Sequence, residues 1–526
     1  DIARLMKLQE HCLAVRPQQN KPSQDIHVEL SAATVFLSVV SLVILASLLS
    51  RRSKKKRPPG PWCLPLIGNL LHLLTSQPQA ALRDLARKHG PVMSLRLGQV
   101  DAVVISSPAA AQEVLRDKDL TFASRPSMLT SDIILYGNMD IAFAPYGPYW
   151  RMLRKLCMVE LLSAHKVRQL APVRDSETRS LMRKVGAAGR GGEPVNLGRL
   201  LCLCSSSISI TAKATFGRLC GEELQEQYMP VVGVAVKEGG GFSAGDLFPS
   251  LWFVDVATGL TRRLWRTRRQ LDAIFDKMIA ECEAHQEHLL SVLLRIKDEG
   301  KLEVPISMTS IKAILLDMLT GGTETTSSAA EWIMSELMRN PDAMAKAQAE
   351  VRRTFDGKSP DDHEGLIDKL RYMKMVIKEG RLRLNPVLPL LLPRLCGETC
   401  DIGGFEVAKG TKVIVNAWAM ARSPEQWPDA EEFRPERFDG GTAGDLKGLQ
   451  FEYLPFGSGR RMCPGDTFGL AVLELIVARL LYYFNWSLPN GMRPDELEDM
   501  IVGSTARRKN QLHLLASPYR ELPVEI

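Results

Sequence analysis

The stretch that most constrains this chain is Pro455-Phe456-Gly457-Ser458-Gly459-Arg460-Arg461-Met462-Cys463-Pro464-Gly465. Its glycines let the backbone turn tightly and approach a ligand closely. Arg460 and Arg461 suit carboxylates, which a guanidinium meets in bidentate fashion. An apolar run at 468–484 follows at once and reads as a helix. A helix start points free N–H groups and a positive dipole end back at Cys463. Such surroundings favour a thiolate over a thiol. The stretch reads as a thiolate presented to a metal, with arginines ready for acidic groups. A lone cysteine is more often a buried thiol in a turn. The ordered set Phe456, Gly459, Arg461, Cys463 and Gly465 sets this one apart.

The rest of the composition narrows the class. With 526 residues and 45% hydrophobic content, the chain has ample material for a sizeable core. The net charge of +7 is partly local and does not suggest nucleic acid as a partner. Ten cysteines are scattered without a Cys-x-x-Cys pair, and the histidines lack zincin-like spacing. The scatter fits reduced thiols in the cytosol.

Residues 1–30 are polar and mixed in charge, without clear periodicity. Residues 31–50 are uncharged and rich in Val, Leu, Ile and Ala. Twenty helical residues span about 30 Å, the thickness of a bilayer core. A buried core helix or a signal peptide would also be apolar. Here the basic cluster Arg51, Arg52, Lys54, Lys55, Lys56 and Arg57 follows the run rather than preceding it. That order predicts one transmembrane anchor with everything after it in the cytosol. Residues 51–69 are basic and then proline-rich, which predicts a stiff hinge. Residues 70–526 are expected to form one catalytic domain.

The spacing within that domain predicts a mainly α fold with a small β region. Residues 92–107 read as two strands around a turn at 98–101, and Ser107-Pro108 opens a helix over 109–115. Strand-like pieces return at 393–416. A loop begins at 122–126. Trp150 and Arg154, four apart, share a helix face and suit an anionic ligand, although a packed indole beside a solvated arginine explains them equally.

Residues 311–338 read as one long apolar helix, interrupted at 320–326 by two glycines, four threonines and Glu324. This conflict with local propensity marks either a functional widened turn or a packing glycine pair at a helix crossing. In the functional reading Glu324 and Thr325 carry protons. Glu379 and Arg383 are four apart and meet on a helix, although a solvated charge run has the same look. The proline-stiffened run at 386–394 is apolar and suits either a pocket wall or a buried strand.

In this order these stretches resemble the cytochrome P-450 superfamily. The loop at 455–465 resembles its haem-binding loop, and 57–69 the hinge of its microsomal members. Residues 320–326 resemble its oxygen-binding groove. Residues 140–149 and 454–465 are most similar to plant A-type enzymes of specialised metabolism. The resemblance implies the cytochrome P-450 fold behind one transmembrane helix, with haem b as cofactor. It implies Cys463 as the metal ligand, with Phe456 and Gly465 shaping its loop. Arg461, Trp150, Arg154 and Arg394 would contact haem propionates. Thr325 and Glu324 would handle dioxygen and protons. One motif departs. The family pattern Glu-x-x-Arg has Leu382 at the arginine position, with Arg383 one residue late. Glu379, Arg383 and Arg437 would still have to close the buried ion network.

The resemblance implies a haem-thiolate monooxygenase in the endoplasmic reticulum membrane, inserting one oxygen atom from O2 into a small apolar substrate. No flavin or nicotinamide domain is readable, so electrons from NADPH are expected through a separate NADPH-cytochrome reductase. Lys155, Lys166, Arg168 and Arg460 are its expected docking patch. Met128, Ile134, Asp317, Gly321, Val387, Leu388 and Val502 are expected to line the substrate pocket. A terpenoid or phenylpropanoid-like substrate fits that apolar lining. A haem-thiolate isomerase or dehydratase, and a non-catalytic haem-binding protein, are the alternatives.

Overall fold

The computed structural model describes residues 57–526 apart from 204–205, 218–221, 240–242, 282–287, 301, 441–448, 498–499, 503–504 and 524–526. The chain divides into two units, Asp1–Lys56 and Arg57–Ile526. The expected membrane span at 31–50 therefore lies outside the described residues. Among those described, no helix is long and apolar enough to cross a membrane.

The proline-rich segment does not hang free. Ser94 donates its backbone N–H to Pro59 O at 2.7 Å. Asn69 accepts from the Arg96 N–H at 2.8 Å and donates to Trp62 O at 3.0 Å. A Cβ on Gly60 would lie 2.1 Å from Ser94 O, so only glycine permits this contact.

The small β region forms as its alternation requires. Strand β1 (Val92–Leu97) pairs antiparallel with β2 (Val100–Ile105) from Val92↔Ile105 to Leu97↔Val100. Gly98, at φ +64°, makes the tight turn. Ser107 Oγ then accepts the Ala110 N–H, and Pro108 starts a short helix. That helix runs 108–112 and passes into a π-turn at 113–117. Strands β3 (Arg394–Leu395) and β4 (Lys412–Val415) complete a sheet in the order β1-β2-β4-β3, with β2 and β4 parallel.

The larger body is helical. Helix α1 (Pro148–Cys157) buries Trp150, Leu153 and Cys157 and leaves Arg151 and Lys155 outside. Helix α2 (Met308–Arg339) begins with Ser307 Oγ accepting the Ser310 N–H at 3.1 Å. It crosses the interior, with Ile311, Ile314, Leu315, Ile333 and Leu337 essentially without exposure. Each such side chain stabilises the fold by about 1.5–3 kcal/mol. Helix α3 (Asp466–Tyr483) is apolar nearly all round, as expected of a helix buried on all sides. A short hairpin pairs β5 (Met500–Val502) with β6 (Ala506–Arg508).

One expectation about helices is corrected, and the local detail of another becomes visible. First, α2 is not interrupted at 320–326; it is α-helical from end to end. Thr325 Oγ1 donates to Gly321 O at 2.6 Å and Ser327 Oγ to Thr323 O at 2.9 Å, so these two hydroxyls are satisfied by their own helix. Second, the one-residue-late arginine is absorbed by a π-turn at Lys378–Leu384, which winds the extra residue into one wide turn.

Candidate active site

The cysteine loop is set by its glycines. Gly457 and Gly459 both take φ +72°, a conformation that other residues rarely adopt. A Cβ on Gly459 would fall 2.1 Å from Leu115 O, so the loop presses against the turn that follows β2. Asp119 in that turn accepts the Arg460 backbone N–H at 2.9 Å. The Cys463 N–H donates to Phe456 O at 2.9 Å and closes the loop. Helix α3 starts three residues later. It crosses α2 closely, since a Cβ on Gly469 would sit 3.8 Å from Thr326 Oγ1.

Cys463 is exposed, yet its thiol pKa is raised by desolvation. Solvent reaches the sulfur on one side, and the protein packed on its other sides, which desolvates it, forms the floor of the site. The Gly465 N–H directed at the sulfur and the nearby Arg154 act in the opposite sense, favouring the anion.

Around this floor stands a concentration of buried guanidinium groups. Arg461 donates to Ala123 O at 2.6 Å, to Ile141 O at 3.2 Å and to Ala144 O. Arg125 donates to Ala142 O at 3.0 Å, to Leu392 O at 2.8 Å and to Pro393 O at 3.0 Å. Arg394 donates to Ser458 O at 3.0 Å and pairs with Asp119 at 3.0 Å. Burial lowers the pKa of all three, Arg461 to about 10, and Arg394 depresses both Arg125 and Arg461 further. Burial first, and the neighbouring Asp317 second, push the pKa of the nearby Asp140 well above the usual carboxylate range. Clustered guanidinium groups beside an accessible sulfur suit an added ligand that carries carboxylates. The residues present therefore fit a haem.

Sequence reasoning missed Arg125. Its neighbours Ser124 and Pro126 read only as the start of a loop, while its partners lie up to 268 positions away. Trp150 is also placed differently from expectation. Its indole N–H donates to Ile141 O at 2.9 Å, and its ring packs under Arg461 with the guanidinium 4.3 Å from the centroid. It thus orients the arginine instead of offering its N–H outward. Arg154 lies 5.5 Å from the same ring.

On α2, Gly321 is exposed with nothing near its Cβ position, and Thr325, one turn on, is half-buried. Glu324 is anchored through one carboxylate oxygen. Its Oε1 accepts from Thr505 Oγ1 at 2.5 Å and from Arg507 Nε at 2.7 Å, and also meets Arg507 Nη2.

The expected pocket residues divide. Asp317 is a tether and not an open wall: its Oδ2 accepts the N–H groups of Ile141 at 2.6 Å and Ala142 at 3.3 Å. Ile134 is buried in the helical core, which removes it from an open pocket lining. Met128, Val387 and Leu388 are half-buried. Val387 O accepts the Ala506 N–H at 2.8 Å, and Val502 lies in β5 opposite Ala506.

The ion network is complete. Arg383 bonds Glu379 at 2.7 and 2.8 Å, and Arg437 reaches Glu379 Oε1 at 3.0 Å. The Arg434 N–H adds a bond at 2.8 Å. Arg383 also donates to Ala421 O, Ala430 O and Glu432 O.

A solvent-accessible cysteine presented by a glycine loop, beside buried arginines, fits a haem-thiolate site. The chain belongs to the cytochrome P450 family, whose model matches residues 58–514. It is 70% identical to cytochrome P450 CYP99A1 of Sorghum bicolor, over 93% of this chain and 99% of that protein. It is 64% identical to 9-beta-pimara-7,15-diene oxidase of Oryza sativa subsp. japonica, over 95% of this chain and 100% of that protein. Premnaspirodiene oxygenase of Hyoscyamus muticus is 45% identical, over 92% of this chain and 99% of its own length. The chain is a haem-thiolate monooxygenase that uses haem b and draws NADPH-derived electrons through a reductase partner.

Proposed function

We propose that this monooxygenase oxidises a terpenoid hydrocarbon from the endoplasmic reticulum membrane, anchored by residues 31–50. The accessible Cys463 sulfur beneath α2 carries the site reading. The names of the relatives supply the substrate class, since one is a pimaradiene oxidase and another a premnaspirodiene oxygenase.

In this reading Cys463 would hold the metal through its thiolate. The Gly465 N–H and the start of α3 stabilise its negative charge. Arg125, Arg154, Arg394 and Arg461 bind the two carboxylates, with Trp150 as a packing support. The chemistry supplied by bound haem is the reductive splitting of dioxygen and insertion of one atom into a C–H bond, which thiolate ligation favours. Thr325 already donates to Gly321 O, so its oxygen is left to accept a proton-bearing water. Glu324 supplies protons toward it. Gly321, Met128, Val387, Leu388 and Val502 shape the apolar space for substrate, while Asp317 fixes the loop beside it.

The test is direct. The reduced protein with carbon monoxide is expected to show the red-shifted thiolate band, lost in Cys463→Ser. Incubation with reductase, NADPH, labelled dioxygen and 9β-pimara-7,15-diene is expected to place one labelled oxygen in the product. A thiolate band without labelled product from this or other terpene hydrocarbons would sink the substrate class and leave the cofactor assignment intact.

A further inference from the structure

The carboxylate of Glu324 is anchored through one oxygen. Thr505 Oγ1, Arg507 Nε and Arg507 Nη2 all converge on Oε1, and among the described residues Oε2 has no partner. The Glu324 side chain is 11% exposed. An isolated surface ion pair would be worth little. Here both donors flank Ala506, and Ala506 is itself fixed. Its N–H donates to Val387 O at 2.8 Å, and its carbonyl accepts from Ser328 Oγ on α2 at 3.3 Å. Ser328 in turn accepts from buried Arg381 at 3.3 Å. The hairpin is thus bonded to α2 on both sides of the helical turn that carries Thr325.

We infer that Thr505 and Arg507 are positioning residues that pin Glu324 through Oε1 so that Oε2 is the proton-carrying atom. The inference rests on the proton role given to Glu324 above. A carboxylate that must take a proton from water and pass it on works best when its rotamer is fixed and one oxygen is free. The pin belongs to the same hairpin as Val502, so the pocket wall and the proton supply share one element. Displacing the hairpin by substrate would move both together.

The experiment uses the full-length enzyme with excess reductase and measures NADPH consumption in H2O and D2O, without substrate and with 9β-pimara-7,15-diene. Glu324→Gln is the reference and is expected to enlarge the solvent isotope effect. Arg507→Gln and Thr505→Val are expected to reproduce that enlargement, each with about a threefold slower NADPH consumption. Arg507→Lys should fall between Arg507→Gln and the unaltered enzyme. Glu324→Gln combined with Arg507→Gln should be no worse than Glu324→Gln alone, because the arginine acts only through the carboxylate. An intact thiolate band in each variant shows that the fold is retained. If Glu324→Gln enlarges the isotope effect and the Arg507 and Thr505 variants do not, the pin is overturned. If Glu324→Gln itself changes nothing, the proton role of Glu324 is what has failed.

Discussion

Arg383 meets Glu379 from four positions away inside one π-turn, with both guanidinium contacts under 2.9 Å and neither side chain exposed. Two residues further back along the same turn, Arg381 is equally buried. Among the described residues it has no carboxylate partner in an ion pair, and its Nε is unsatisfied. Burial pushes its pKa down to about 9, with Glu331 opposing from a distance.

The two arginines should therefore respond oppositely to the same change. Arg383→Met leaves Glu379 buried with only Arg437 to neutralise it and should cost about 3–5 kcal/mol. Arg381→Met removes a cation that burial disfavours and should be within about 1 kcal/mol of neutral, or stabilising. Urea unfolding of the haem-loaded protein, followed by the thiolate band, checks both. Equal losses at the two positions would refute the distinction.

His363 supplies a pH prediction. It is buried against Phe355, with ring centroids 4.0 Å apart, and among the described residues neither ring nitrogen has a partner. Burial first, and Arg479 second, lower its pKa from 6.5 to about 3. As pH falls below 6.5 the unfolded chain takes up a proton that the folded chain refuses. Stability should then drop by about 1.4 kcal/mol per pH unit from this group between pH 6.5 and 3. His363→Phe should flatten the profile by that slope, read from denaturation midpoints at several pH values.

Thr325→Ala removes the hydroxyl but leaves α2 continuous, because the backbone helix does not depend on it. Product formed per NADPH consumed should fall about tenfold while the thiolate band is unchanged. Quantifying product and hydrogen peroxide in the same reaction checks this. Unaltered coupling would remove Thr325 from the proton path.

Lys155, Arg168 and Arg460 are exposed, and Lys166 is half-buried. Reversing all four to glutamate should slow the first electron transfer from the reductase about tenfold at low salt. The difference should fade above roughly 0.5 M salt, where exposed charges are screened. Stopped-flow reduction under carbon monoxide gives the rate. A rate indifferent to the reversal would move the docking face elsewhere.

What the sequence made legible was local. The β1–β2 hairpin follows from alternation around Gly98, and α2 from its long apolar periodicity. Cys463 follows from an ordered glycine and arginine loop. The readings that failed depend on partners far along the chain. Nothing near Glu324 announces Thr505 and Arg507, 181 and 183 positions away. Arg125 looked like a loop residue because its carbonyl acceptors come from separate segments. The glycines and threonines at 320–326 suggested a broken helix because propensity scores exposed helices. In a buried one, back-bonding hydroxyls and packing override it.

Asp119 connects features otherwise described apart. One carboxylate takes the Arg460 backbone N–H from the cysteine loop and the Arg394 guanidinium from β3, while the same turn meets Gly459 through Leu115 O. The cysteine loop is therefore tied to the small sheet as well as to the helical body. The sheet acts as a spacer block for the thiolate. Substitutions that thicken or tilt it should tune the metal–sulfur bond without touching any residue of the cleft.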